Sequence, residues 1–208
     1  MHVQNEIIEA VYSELVNYAC KNCECARVYI YDEGVIFSKK LDEYLNLNKV
    51  DVLSLLKEIK IGIKNNIHYQ KICEIIAEKE KNNNSEDMVK IYLESILHKR
   101  GVNEFYRKNS DIIINLRKKS KNNTNYFIID VKLTLKFKNE LLKKKSLFDW
   151  NFKNGVQDLN FLSNDEYWLQ SDSHEKICLI HVKDYAEQKK LEKIGIIFDD
   201  EIYKYLSV

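Results

Sequence analysis

Two apolar runs, residues 111–116 (DIIINL) and 126–135 (YFIIDVKLTL), most constrain what this chain can fold into. Both are rich in β-branched and aromatic side chains, which suit a pleated, half-buried surface. The segment between them, Arg117 to Asn125, is polar and reads as a loop. The runs therefore predict two neighbouring strands. If their hairpin is centred near Ser120 and Lys121, Asp111 falls opposite Asp130. Side chains alternate faces along a strand, so Asp130 and Lys132 share one face, and Ile129, Val131 and Leu133 the other.

Around this pair the spacing is mostly helical. Val3, Ile7, Ile8, Val11, Leu15 and Val16 predict a helix over 3–20. Residues 27–38 (RVYIYDEGVIFS) read as a hairpin turning at Asp32-Glu33-Gly34. Helices are expected over 50–61 and 67–80. The run Asn82 to Ser85 reads as a loop, with Ser85 able to cap a helix starting after it. Further helices are expected over 138–148, 151–163, 184–193 and 199–206. Residues 177–182 (ICLIHV) read as a fully buried strand, and 194–198 (IGIIF) as a short extended piece. Proline is absent and glycines number five, so turns must rest mainly on Asn, Asp and Ser. Helices flanking a central sheet give an α/β (α+β) class. The expected division is an N-terminal extension at 1–60, serving recognition or dimerisation, and a core at 61–208.

Apolar residues make up 45% of 208, enough for a sizeable core. No apolar run reaches the ~18 residues of a membrane span. Glu6 and Glu9 stand where a signal peptide needs apolar residues. A soluble, intracellular, cytoplasmic protein is expected, without a membrane partner. Five cysteines, an odd number, argue against a disulfide framework. Cys20, Cys23 and Cys25 could offer three thiolates to a metal, with Cys73 or Cys178 as a distant fourth. Reduced thiols in a helix and its following turn are the simpler reading.

The net charge of +1 points to no partner, but its distribution does. Residues 117–145 hold ten basic and two acidic side chains, a local charge of +8. That excess suits a nucleic-acid backbone, with Lys136, Lys138, Lys143, Lys144 and Lys145 as candidate contacts. On a helix, the last three would fan across about 200°. Tyr126, Phe137, Phe148 and Trp150 lie among these lysines and could stack on bases or join the core.

A carboxylate and a lysine inside an apolar strand are costly to bury unless paired or bound to an ion. Two facing carboxylates, Asp111 and Asp130, would suit Mg²⁺ or Mn²⁺. Lys132 would then orient a water and offset developing charge. In this arrangement the chain resembles the PD-(D/E)xK nuclease superfamily over roughly residues 60–185, with Ser110 in place of the proline. The resemblance implies a restriction endonuclease-like core, with a central mixed sheet flanked by helices, that hydrolyses phosphodiester bonds, usually of DNA. It further implies catalysis by Asp111, Asp130 and Lys132, and a metal held by Asp111, Asp130 and Val131.

A further metal ligand differs between branches of that superfamily. The RecB-like branch places a helix histidine there, here His68, and adds a helical Gln-x-x-x-Tyr after the strand, matched by Gln157 and Phe161. The restriction-type branch uses a helix glutamate, here Glu94. His98 and Glu104 are lesser candidates, and His181 reads as a satisfied core histidine. Three function classes stay open. One is a DNA nuclease of restriction, defence or recombination type, with homodimerisation compatible. The second is an RNA endonuclease resembling viral cap-snatching domains. The third is a nucleic-acid binding module without activity.

Overall fold

The computed structural model describes residues 1–32, 39–62, 65–78, 86–121, 124–152 and 155–199. In chain order these form α1 (Glu9–Asn22), β1 (Cys25–Asp32), α2 (Lys39–Leu47), α3 (Val52–Lys60), α4 (Ile67–Ala77) and α5 (Glu86–Asn109). Next come β2 (Ile113–Lys121), β3 (Thr124–Lys132), α6 (Leu135–Leu141), a 3₁₀ turn (Leu147–Asp149), β4 (Gln157–Ser163), β5 (Glu166–Asp172), β6 (Ile177–Ile180) and α7 (Tyr185–Lys193). The class is α+β. The strands lie in the order β2-β3-β1-β4-β5-β6, and every ladder is antiparallel, so the sheet is not mixed. Three of the five ladders are hairpins between consecutive strands, and a hairpin can only be antiparallel.

One face of the sheet is apolar. Ala26, Val28 and Ile30 of β1, Ile129 and Val131 of β3, and Leu159 and Phe161 of β4 share a core with Tyr12, Leu15, Val16 and Ala19 of α1. Those four α1 positions lie along one helical face, which explains the helix. Phe137 and Leu141 of α6 close the same core. Thr134 caps α6 by accepting from the Phe137 amide at 3.2 Å. A second core lies among α2, α3, α4 and α5, with Leu41, Leu45, Leu56, Ile59, Ile72 and Leu93 at its centre. Asp51 and Asn66 cap α3 and α4 by accepting from the Leu53 and His68 amides. The 24-residue α5 spans about 36 Å and serves both cores, with Leu93 and Ile96 in the second and Phe105 in the first.

These cores redraw the expected division. β1 lies in the middle of the sheet, so residues 1–32 are not an extension. A boundary at 60 would cut the second core between Ile59 and Ile72. The N-terminal helix begins at Glu9 rather than 3. Residues 1–3 instead run along the outer edge of β6, with Ile180 N bonded to Met1 O at 2.8 Å and Val3 N to Cys178 O at 2.9 Å. Phe198, in the expected extended piece, bridges to Val3. The second arm of the 27–38 hairpin, the Ser85 cap and the helix over 199–206 fall outside the described residues, apart from Asp199.

The expected helix over 151–163 is replaced by β4. Its cause is the Asn164-Asp165 pair, both at positive φ (53° and 63°), which closes a two-residue hairpin between Ser163 and Glu166. Asn and Asp tolerate that left-handed turn and favour such hairpins. β6 is likewise half-buried rather than fully buried: Cys178 and Ile180 point inward, Ile177 and Leu179 outward. At the opposite edge, β2 pairs among the described residues with β3 alone, and Ile114 and Leu116 are 59% and 51% exposed. Among the described residues, no helix is long and apolar enough to cross a membrane.

Candidate functional site

The other face of the sheet is polar, and strand alternation builds it. With Ala26, Val28 and Ile30 turned to the core, β1 offers Arg27, Tyr29 and Tyr31 to the opposite side. Directly opposed residues share a face, so the register completes the set. Arg27 lies opposite Asp130 and Asn160, Tyr29 opposite Ile128, and Tyr31 opposite Tyr126. On β2, Asn115 lies opposite Asp130, Arg117 opposite Ile128, and Lys119 opposite Tyr126.

Asp130 is the hub of this face and is only 5% exposed. Arg27 grips it with a two-pronged fork, Nε to Oδ1 at 2.6 Å and Nη2 to Oδ2 at 3.1 Å. Arg117 donates from Nη2 to Oδ2 at 2.9 Å, and Asn115 from Nδ2 at 3.4 Å. The Asp130 carboxylate holds the Arg27 guanidinium still more firmly protonated than usual. Arg27 also donates to the Tyr167 hydroxyl at 2.9 Å, and that hydroxyl shares a 2.8 Å hydrogen bond with Tyr29. Burial, then that bond, pushes the Tyr29 phenol up. The Tyr29, Tyr31 and Tyr126 rings form a cluster with centroids 5.8 to 6.3 Å apart. Burial and the neighbouring Asp158 push Tyr31 up to about 12.

Asp111 does not lie opposite Asp130. The β2–β3 hairpin closes between Lys121 and Thr124, further along than expected, and that shift alone sets Asn115 opposite Asp130. Asp111 thus precedes β2, exposed, in a 2.5 Å ion pair with Lys136 that holds its carboxyl below the usual range. Its end of β2 still adjoins Lys132, whose amide bonds to Ile112 O at 2.9 Å. Lys132 is exposed on the face of Asp130, and Val131 is buried in the core.

The two rival ligands lie elsewhere. His68 bonds through Nδ1 to the Tyr44 hydroxyl at 2.9 Å, beside the second core. Glu94, on α5, pairs with Lys60 at 3.1 Å. Neither is among the partners of Asp130. Gln157 and Phe161 are strand residues, not helical ones, and Gln157 shares a surface cleft with Glu94 and His174. His98 stacks on Phe152, Glu104 pairs with Lys108, and His181 is exposed rather than in the core. Lys136 and Lys138 lie on α6. Lys143, Lys144 and Lys145 come after that helix instead of fanning around it, because α6 ends at Leu141.

The donor set therefore does not fit a Mg²⁺ or Mn²⁺ centre as arranged. Both oxygens of Asp130 face guanidinium groups, and Asp111, His68 and Glu94 are each engaged elsewhere. Among the described residues, no three His, Cys, Asp or Glu side chains are grouped to hold a metal ion. All five cysteines are free thiols, and burial pushes Cys23 up to about 12.

The sequence reading missed Arg27 and Tyr167. Arg27 carried a signal, since Arg27, Tyr29 and Tyr31 alternate with Ala26, Val28 and Ile30 at strand period. Tyr167 lay on a strand that the reading did not foresee. Comparison with protein-family models, with curated proteins and with solved structures finds no match to this chain.

Proposed function

We propose that the protein binds nucleic acid along β2 and β3, with DNA the favoured form, using the polar sheet face as its platform. One observation carries this reading: a buried carboxylate fixes two arginines beside a cluster of tyrosine rings, next to an exposed cationic strand. Arg117 and Lys119 project from β2 on the polar face and Lys118 on the other, all three exposed at the edge of the sheet, which suits contact with a phosphate backbone. Half-buried tyrosines suit stacking on unpaired bases, so single strands are the better substrate. Asp130 in this reading is a positioning residue that holds the guanidiniums still.

Metal-dependent phosphodiester hydrolysis is the second reading. It is favoured by Asp130 and Lys132 sharing a face at the end of the strand pair where Asp111 precedes β2. It requires Asp130 to leave its arginines. One experiment separates the two: incubation with circular single-stranded DNA, circular duplex DNA and RNA, each with and without Mg²⁺ or Mn²⁺. Retarded but intact circles support binding alone. Metal-dependent cutting that Asp130→Asn and Lys132→Met both lose supports hydrolysis. Absence of binding to all three substrates at low salt defeats both.

A further inference from the structure

The stripe Arg100, Glu104 and Lys108 on α5 faces the chain beyond α6 across a cleft of about 400 Å³. Glu140, Lys143, Lys144 and Trp150 form the opposite wall. This volume lies in the range of small-molecule sites. Gly155 touches α5 so closely that a Cβ there would come within 2.3 Å of the Gly101 and Val102 backbone.

Charge within the cleft is unbalanced. Four cations face two carboxylates. Both carboxylates are already taken: Lys108 reaches Glu104 at 2.5 Å and Glu140 at 3.9 Å, and Lys143 reaches Glu140 at 2.5 Å. Among the described residues, no ion pair joins Arg100 or Lys144 to a carboxylate. The Lys144 ammonium instead lies over the Trp150 ring, 5.7 Å from its centre, and burial holds its pKa below the usual lysine range. Lys144 is drawn to Asp149, Glu104 and Glu140 only across longer distances, and a half-buried cation held in that way is stabilised further by an incoming anion in direct contact.

We propose that this cleft binds a phosphate group between Arg100 and Lys144, belonging either to a free nucleotide or to the end of a nucleic-acid strand. The inference rests on the cleft alone and not on the sheet-face reading. Arg100 is exposed at the mouth and free to fork onto phosphate oxygens, whereas Lys144 lies deeper, against Trp150. Trp150 makes the site self-reporting, because a phosphate that draws the ammonium away changes the field at the indole.

The test is a titration of the full chain with pyrophosphate, a nucleoside triphosphate, and one oligonucleotide with and without a 5′-phosphate. Indole fluorescence and calorimetry are both read. Saturable binding of pyrophosphate or the triphosphate is expected. Arg100→Gln and Lys144→Gln should each weaken it by roughly tenfold, the loss of one charge-assisted hydrogen bond. Lys176→Gln, at a site paired with Glu6, should change nothing. A strand-end ligand is indicated if the 5′-phosphorylated oligonucleotide binds more tightly than its unphosphorylated twin and the free nucleotide competes only for that difference. Equal binding of the two oligonucleotides, with the triphosphate saturating, assigns a free nucleotide. Failure of every phosphate to saturate at millimolar concentration overturns the proposal, as does wild-type affinity in Arg100→Gln. That variant lies on the exposed side of α5, so it stays decisive if Lys144→Gln does not fold.

Discussion

Replacing Asp130 by Ala removes the one carboxylate that two arginines share. If Asp130 acted only in catalysis, the fold would survive unchanged. Its position argues otherwise, since the Arg27 and Asp130 side chains are 13% and 7% exposed. Breaking a pair buried to this degree leaves a desolvated guanidinium behind and costs about 3–5 kcal/mol. The Arg117 side chain is 42% exposed, so solvent screens its share to about 1 kcal/mol or less. The loss through Arg27 should therefore dominate. In urea, with a slope of about 2 kcal/mol per molar, the unfolding midpoint should fall by roughly 2 M. Arg117→Ala should move it by no more than about 0.5 M. The double change Arg27→Met with Asp130→Leu should recover most of the loss, because neither charge is then stranded. A midpoint for Asp130→Ala no lower than that of Arg117→Ala would refute the reasoning and return Asp130 to a purely chemical role.

Changing Arg117, Lys118 and Lys119 together to Gln should lower the salt dependence of single-stranded DNA binding by about 0.7 per lost phosphate contact, read as the slope of log affinity against log salt. An unchanged slope would make these side chains a solvated surface only. Gly155→Ala should destabilise the fold by about 2 kcal/mol or more in thermal unfolding, since its φ is +92° and the added methyl meets α5 backbone. Tyr31 titrates near 10 when unfolded and at about 12 in the fold, so its contribution is full below pH 10 and is lost as pH rises towards 12. Tyr31→Phe should flatten stability over that window, and an equally steep fall in the variant would assign the effect to other groups.

How much of this was legible in the sequence depends on the range of the interaction. β3, α3, α4, α7 and the apolar start of β2 were readable because periodicity is local, whereas Arg117 to Lys121, read as loop for their polarity, continue β2 as an exposed edge. Asp130 and Lys132 on a common face came from alternation alone. The partner of Asp130 did not. A shift of the turn from Ser120 and Lys121 to the residues after Lys121 substituted Asn115 for Asp111. The second arginine was out of reach for another reason. Arg27 and Asp130 are 103 residues apart, and only the placement of β1 beside β3 unites them. β4 and β5 were hidden because Asn164-Asp165 was not weighed as a turn.

The two edges of the sheet are protected by different means. Residues 1–3 pair with β6 and close that side by hydrogen bonding, whereas among the described residues nothing pairs with the outer edge of β2, and Ile114 and Leu116 are exposed beside it. Repulsion among Arg117, Lys118 and Lys119 would oppose the pairing of such a strand with its twin. A polyanion that neutralises those cations removes the guard as it binds. If β2 binds nucleic acid as proposed, occupancy and self-association would be thermodynamically linked: a strand long enough to seat two molecules would draw their β2 edges together, and stripping it away by salt would part them again.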